Sequence, residues 1–249
     1  MSKVPGVVTG VVKSVEDPDQ QGRVQVSFPF LGGQNDSTWA PVATLMSGKG
    51  RGSWFMPEVG DEVLVAFNLG DVAHPFIIGF LWNGQDKPPV ADTNITAKVR
   101  RLRTVSGHRI DFDDNGGKEK ITIHTQGGHE IVLDDTPGSE GISITTSGKQ
   151  QIQMQDTPAS ITIQTAAQNQ IMVSDVPPGV TISVPTGMVN VTCLEATLTA
   201  SAMLNLTAAA LNVSAPITIF DGVVQAQTVI ANAVVGAAYT PAPGDTFGL

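Results

Sequence analysis

From Gly107 to about Gly236, apolar and polar residues alternate in short runs, and the runs repeat. Gly107-His-Arg-Ile-Asp-Phe-Asp-Asp114 is followed by Gly128-His-Glu-Ile-Val-Leu-Asp-Asp135. Lys149-Gln-Gln-Ile-Gln-Met-Gln-Asp156 and Gln168-Asn-Gln-Ile-Met-Val-Ser-Asp175 continue the series. Ile110, Ile131, Ile152 and Ile171 share one column at nearly even spacing. A second strand is expected inside each unit, at Ile121-Thr-Ile123, Ile142-Ser-Ile144, Ile161-Thr-Ile163 and Val180-Thr-Ile182. A fixed period of this length marks a stacked repeat. Each unit is too thin to bury its own apolar face, so neighbours must cover it. From Val189 the repeat becomes much shorter, through Leu204-Asn-Leu206, Leu211-Asn-Val213 and Ile217-Thr-Ile219. Alternation with period two is that of a strand with one buried face, and no helical spacing is sustained. Short strands joined by tight corners describe a β-helix or β-prism. A single chain winding this way leaves a very narrow interior. The pattern therefore predicts several chains intertwined around a shared core of Ile, Val and Leu.

Residues 1–95 read as a different module. Val7 to Val15, Arg23-Val-Gln-Val-Ser-Phe28, Trp39-Ala-Pro-Val-Ala43, Gly52-Ser-Trp-Phe-Met56, Glu62-Val-Leu-Val-Ala-Phe67 and Pro75 to Trp82 are predicted strands. Turn residues separate them, at Asp17-Pro18, Gly32-Gly33, Gly48-Lys-Gly-Arg-Gly52 and Glu58-Val-Gly-Asp61. Several short strands and no helix predict a small barrel such as an OB-fold. The chain thus divides into an all-β barrel over 1–95, a linker over 96–106, a repetitive needle over 107–236 and a C-terminal tip segment over 237–249.

The barrel residues also carry a family resemblance. Asp17-Pro18, Gly22-Arg23-Val24, Trp39-Ala-Pro-Val-Ala43, Phe55-Met-Pro-Glu-Val-Gly-Asp-Glu-Val-Leu-Val-Ala-Phe67, Gly70-Asp71 and Ile78-Gly-Phe-Leu-Trp-Asn83 follow one another in a specific order and spacing. That block resembles the OB-fold domain of contractile-tail spikes, the phage baseplate assembly protein V family and the related VgrG proteins of type VI secretion. The repeats resemble the β-helical needle of the same spikes. The resemblance implies a homotrimer whose barrels dock on a baseplate hub and whose chains intertwine into a needle that punctures a target cell envelope. VgrG proteins carry a hub-like region ahead of the barrel, whereas here the barrel pattern starts by Val7, so the hub is expected to be a separate protein. Residues 84–106 are too few for an enzyme domain between barrel and needle. About 130 residues at seven to eight per strand give roughly 17 layers, a shaft on the order of 80 Å.

Composition narrows the alternatives. The chain has 249 residues, formal net charge -9 and only 15% charged residues. No Lys or Arg follows Lys149. This balance opposes a phosphate-binding surface. An OB-fold nucleic-acid binder using Phe28, Phe30, Trp39, Trp54 or Phe55 beside Lys49 and Arg51 is thereby disfavoured, and the aromatics are expected in the core. A tailspike-like glycan-processing enzyme needs an asymmetric pair of carboxylates, but the acids here recur at turns. No Gly-X-Ser-X-Gly elbow is present, and no enzymatic activity or cofactor is expected. The four histidines are His74, His108, His124 and His129. His108 and His129 share a repeat column, and a ring of them could hold metal, but outward-facing polar positions explain them more simply. Asp111-Phe-Asp-Asp-Asn-Gly-Gly117 lacks the distal Glu of a calcium loop, so no metal site is expected. Cys193, the single cysteine, excludes an intrachain disulfide and is expected in the core. With no signal-peptide pattern and no transmembrane helix pattern, the protein is expected to be made in the cytoplasm and assembled into a virion or phage-tail-like particle. Pro241, Pro243 and Gly244, with apolar Tyr239, Phe247 and Leu249, read as a blunt needle end. The plain alternative is a frayed terminus; an open β-helix end needs a cover, and the resemblance to these spikes implies a PAAR-like tip protein seated on Tyr239, Phe247 and Leu249.

Overall fold

The computed structural model describes residues 3–31, 36–90, 98–233 and 235–236. In the first sheet, β1 (Val7–Ser14), β2 (Arg23–Ser27), β3 (Ala40–Pro41), β6 (Glu62–Phe67) and β7 (Pro75–Phe80) lie in the order β3-β2-β1-β6-β7. All four of these pairings are antiparallel. A parallel bridge from Val42 to Ile77, with the Ala43 N–H donating to the Ile77 carbonyl at 2.8 Å, brings the outer strands together and nearly closes a barrel. This connectivity is that of the OB-fold read from the sequence. A two-stranded ribbon, β4 (Ser47–Gly48) and β5 (Arg51–Gly52), projects from the long connection after β3.

Period two explains the barrel's core. In β6, Val63, Val65 and Phe67 are buried while Glu62, Leu64 and Ala66 alternate outward. Val12, Val24, Val26, Phe28, Ala40 and Ile77 complete the core. Phe28 packs edge-on against Phe67 at a centroid distance of 5.5 Å.

The expected core placement of the aromatics holds for Phe28 and fails for three others. Phe30, Trp54 and Phe55 are half or more exposed. The stretch from Ser53 to Met56 forms no strand, and of its side chains Met56 packs against the core while Trp54 and Phe55 stay outside it. Trp54 instead covers Gly22, where an added Cβ would stand 2.9 Å from the indole ring. Gly22 also has φ +72°, a conformation glycine adopts without strain.

The second sheet has nine strands in simple sequence order, β8 (Val99–Arg103) through β16 (Pro178–Ser183). β8 lies inside the stretch read as linker. The intervening strands are β9 (Arg109–Asp113), β10 (Lys120–His124), β11 (Glu130–Asp134), β12 (Gly141–Thr145), β13 (Gln151–Asp156), β14 (Ala159–Gln164) and β15 (Gln170–Asp175). Every neighbour is antiparallel, so each repeat unit is one hairpin of a meander. At about 4.8 Å per step, this sheet is roughly 40 Å tall.

Among the described residues, strand pairing within the chain ends at Ser183. The strands expected between Val189 and Ile219 are therefore corrected: the segment makes no ladder with its own chain. An extended run with no adjacent segment of the same chain has nothing to pair with. Its alternating apolar residues, Leu204, Leu206, Leu211, Val213, Ile217 and Ile219, stay exposed, and so does Cys193. The described residues from Val191 onward form a unit separate from the two sheets.

Candidate functional site

The meander is amphipathic, and its register makes the apolar face continuous. Leu102, Ile110, Ile123, Ile131, Ile144, Ile152, Ile163, Ile171 and Ile182 stand directly opposite one another from strand to strand. Two positions along each strand runs a second column: Arg100, Phe112, Ile121, Leu133, Ile142, Met154, Ile161, Val173 and Val180. The other face carries Arg101, Asp111, Thr122, Val132, Ser143, Gln153, Thr162, Met172 and Thr181. Most of the apolar columns remain more than a third exposed within one chain. So large an unbroken apolar surface marks an interaction site.

The hairpin turns fix this register, because a slip by one residue would put every Ile on the wrong face. On one flank the turns share a hydrogen-bond scheme. The Thr104, Thr125, Thr146 and Thr165 N–H groups donate to the carbonyls of His108, His129, Gln150 and Asn169. The N–H groups of those four partners return bonds to the threonine hydroxyls. The residue before each partner has positive φ: Gly107 and Gly128, then Lys149 at 65° and Gln168 at 64°. His108 and His129 occupy equivalent turns and are exposed, as expected. Each Nδ1 accepts a backbone N–H from the next turn on that flank, Gln126 at 3.2 Å and Ser147 at 3.3 Å. That bond is a structural reason for the shared column.

The opposite flank is acidic. Asp113 accepts from the Asn115 N–H and Asp134 from the Thr136 N–H, which close the first two loops. Hydrogen bonds from Thr136 hold the Asp134 carboxyl below its usual range. The later loops shrink to Thr157-Pro158 and Val176-Pro177, which accounts for the shorter step from Ile152 to Ile171. Asp113 also accepts from the Asn115 side chain, so the segment resembling a calcium loop is an internally bonded turn. Among the described residues no group of three or more His, Cys, Asp or Glu side chains could hold a metal ion. At the entry edge, Asp111 is buried and pairs with Arg101 at 2.6 Å and Arg109 at 3.2 Å.

On the barrel, Asp17 accepts N–H groups from Asp19, Gln21 and Arg23 and also holds the Arg23 guanidinium at 2.6 Å. The guanidinium, with the backbone donors, keeps this carboxyl far below the usual range. The sequence marks Asp17-Pro18 as a turn and Arg23 as the start of a strand and does not disclose the clamp, although a carboxylate shortly before an Arg is its visible trace. Tyr239, Phe247 and Leu249, the expected tip-binding residues, lie outside the described residues.

Comparison with known proteins matches both sheets. Residues 8–82 match the type VI secretion system/phage-baseplate injector OB domain, and residues 120–163 match the phage baseplate V C-terminal trimerisation domain. The type VI secretion system spike protein VgrG5 of Pseudomonas aeruginosa is 35% identical over 129 residues, 48% of this chain and 16% of that protein. VgrG3 of Vibrio cholerae is 34% identical over 116 residues, 43% of this chain and 11% of that protein. The actin cross-linking toxin VgrG1 of Vibrio cholerae is 33% identical, again over 43% of this chain and 11% of the toxin. The chain thus spans less than a fifth of these relatives' length. An OB barrel followed by a trimerisation sheet is the arrangement that this chain shares with phage baseplate V and VgrG-like spike proteins.

Proposed function

We propose that the protein is the structural central spike of a contractile tail or injection system, and that three copies assemble around the apolar face of the meander. The observation that carries this reading is the pair of unbroken apolar columns on the sheet that matches a trimerisation domain. Each half-exposed Ile gains on the order of 1 kcal/mol on burial. Summed over the nine apolar residues of the first column and the eight of the second, that exceeds an association cost of about 4–15 kcal/mol. Three sheets with apolar faces inward make a closed prism whose strands stack along its axis. The segment beyond Asn190 then obtains strand partners from the other two chains. Such a shaft transmits axial thrust, and its role is mechanical rather than catalytic.

Light scattering of the purified chain is expected to give three times 26.0 kDa. A monomer would remove the reading. The barrel is the part proposed to dock on a hub protein. In support, Leu69 lies 85% exposed in a turn at φ 52°. The loop of Thr38 is tied to that turn by a hydroxyl bond to the Ala73 carbonyl at 2.9 Å. A PAAR-like tip protein is proposed to seat on Tyr239, Phe247 and Leu249. Deleting residues 239–249 is expected to abolish co-purification of the tip protein while leaving the trimer intact; retained binding would refute that assignment.

A further inference from the structure

The two flanks of the meander differ in chemistry. The Thr-turn flank carries no carboxylate between Thr146 and Gln150, and Lys149 sits there exposed at φ 65°. On the other flank, Asp114, Glu119, Asp135, Glu140, Asp156 and Asp175 continue the same face as the apolar columns, one alternation beyond the second column. Glu140 and Asp156 stand side by side, with the Asp156 N–H donating to the Glu140 carbonyl at 3.1 Å. Neither Lys149 nor Asp156 has an ion-pair partner among the described residues of its own chain.

Symmetry decides what these flanks meet. A closed ring of three identical chains uses a heterologous contact, in which one surface of each chain meets a different surface of the next. With the apolar faces turned to the axis and the strands running across it, the two surfaces are the two flanks. Pure rotation carries no shift along the axis. The rung that ends in the turn of Lys149 on one chain therefore meets the rung that ends in Glu140 and Asp156 on its neighbour.

We infer that each corner of the trimer joins the Thr-turn flank of one chain to the carboxylate flank of the next, with Lys149 seated against Asp156 and Glu140 of a second copy. This rests on the trimeric reading above and adds which residues face one another. Opposite charge at the corner favours a head-to-tail ring, and like charge opposes an inverted neighbour.

The test is co-expression of two full-length chains with different tags, one K149E and the other D156K, read by native mass spectrometry. Tagged and untagged unmutated chains serve as the control and are expected to mix at random, leaving about a quarter of trimers homogeneous. In the mutant pair, the K149E chain repels its own kind and attracts the D156K chain. Homogeneous trimers are expected to fall at least about threefold below the control. Random mixing in intact trimers would overturn the corner pairing alone. Absence of trimers in the unmutated control would overturn it together with the spike reading. Both substitutions lie on exposed positions, and circular dichroism of each purified chain checks that the sheet is retained.

Discussion

At the scale of single residues, the barrel is tied by one carboxylate. The Asp17 side chain is 4% exposed and gathers three backbone N–H groups and the Arg23 fork. Its folded-state pKa lies below the unfolded value, chiefly through Arg23. The sign of the linkage follows. The ionised clamp contributes its full stability above an unfolded pKa of about 4, and that stability is lost as pH falls further. The Asp17→Asn variant is expected to melt at a lower temperature at pH 7 and to show a shallower decline below pH 4. Scanning calorimetry across that range checks both. An unchanged melting temperature at pH 7 would show that the clamp only decorates the turn. Gly22 follows the same local logic, since its positive φ and its contact with Trp54 both exclude a side chain.

At the scale of elements, the two faces of one strand make opposite predictions. In β13, Ile152 belongs to the apolar column and Gln153 to the polar face. In the proposed trimer, Ile152→Lys would place a charge from every chain in the shared core, which costs about 3 kcal/mol or more. That corresponds to at least about a tenfold rise in the concentration at which the trimer dissociates, because the midpoint of a trimer scales as the square root of its dissociation constant. Gln153→Lys is expected to leave the mass unchanged, and sedimentation over a dilution series separates the two. Equal effects would mean that the apolar face is not the interface. These columns were legible in the sequence because period two is a property of the strand itself. The Ile of successive units also aligns without knowledge of the turns. The connection was less legible. The spacing from Ile110 to Ile131 suits a coil of β-strands as well as a hairpin, and only backbone pairing distinguishes them. Trp54 and Phe55 fall outside the core for a related reason: an aromatic beside alternating residues reads as core, whether or not its segment forms a strand.

At the scale of the whole molecule, the repeats divide into two kinds of structure that fail in different ways. Up to Ser183 the chain supplies its own ladder, so in the proposed trimer the sheets would part without losing a ladder hydrogen bond. Beyond it, among the described residues, the chain supplies alternating apolar side chains and no ladder of its own. The short period read from Val189 to Ile219 could not reveal this, because alternation reports a buried face and not which chain provides the neighbouring strand. In the proposed trimer those backbone groups pair between chains, and dissociation then requires unwinding rather than parting. Kinetic stability should therefore reside in the distal segment and association in the meander. A chain ending at Asn190 is expected to remain trimeric by light scattering yet to run as a monomer on an unboiled SDS gel. The full chain is expected to resist SDS until boiled. A monomeric truncation would move the association energy into the distal segment. An SDS-labile full chain would mean that the distal strands do not intertwine.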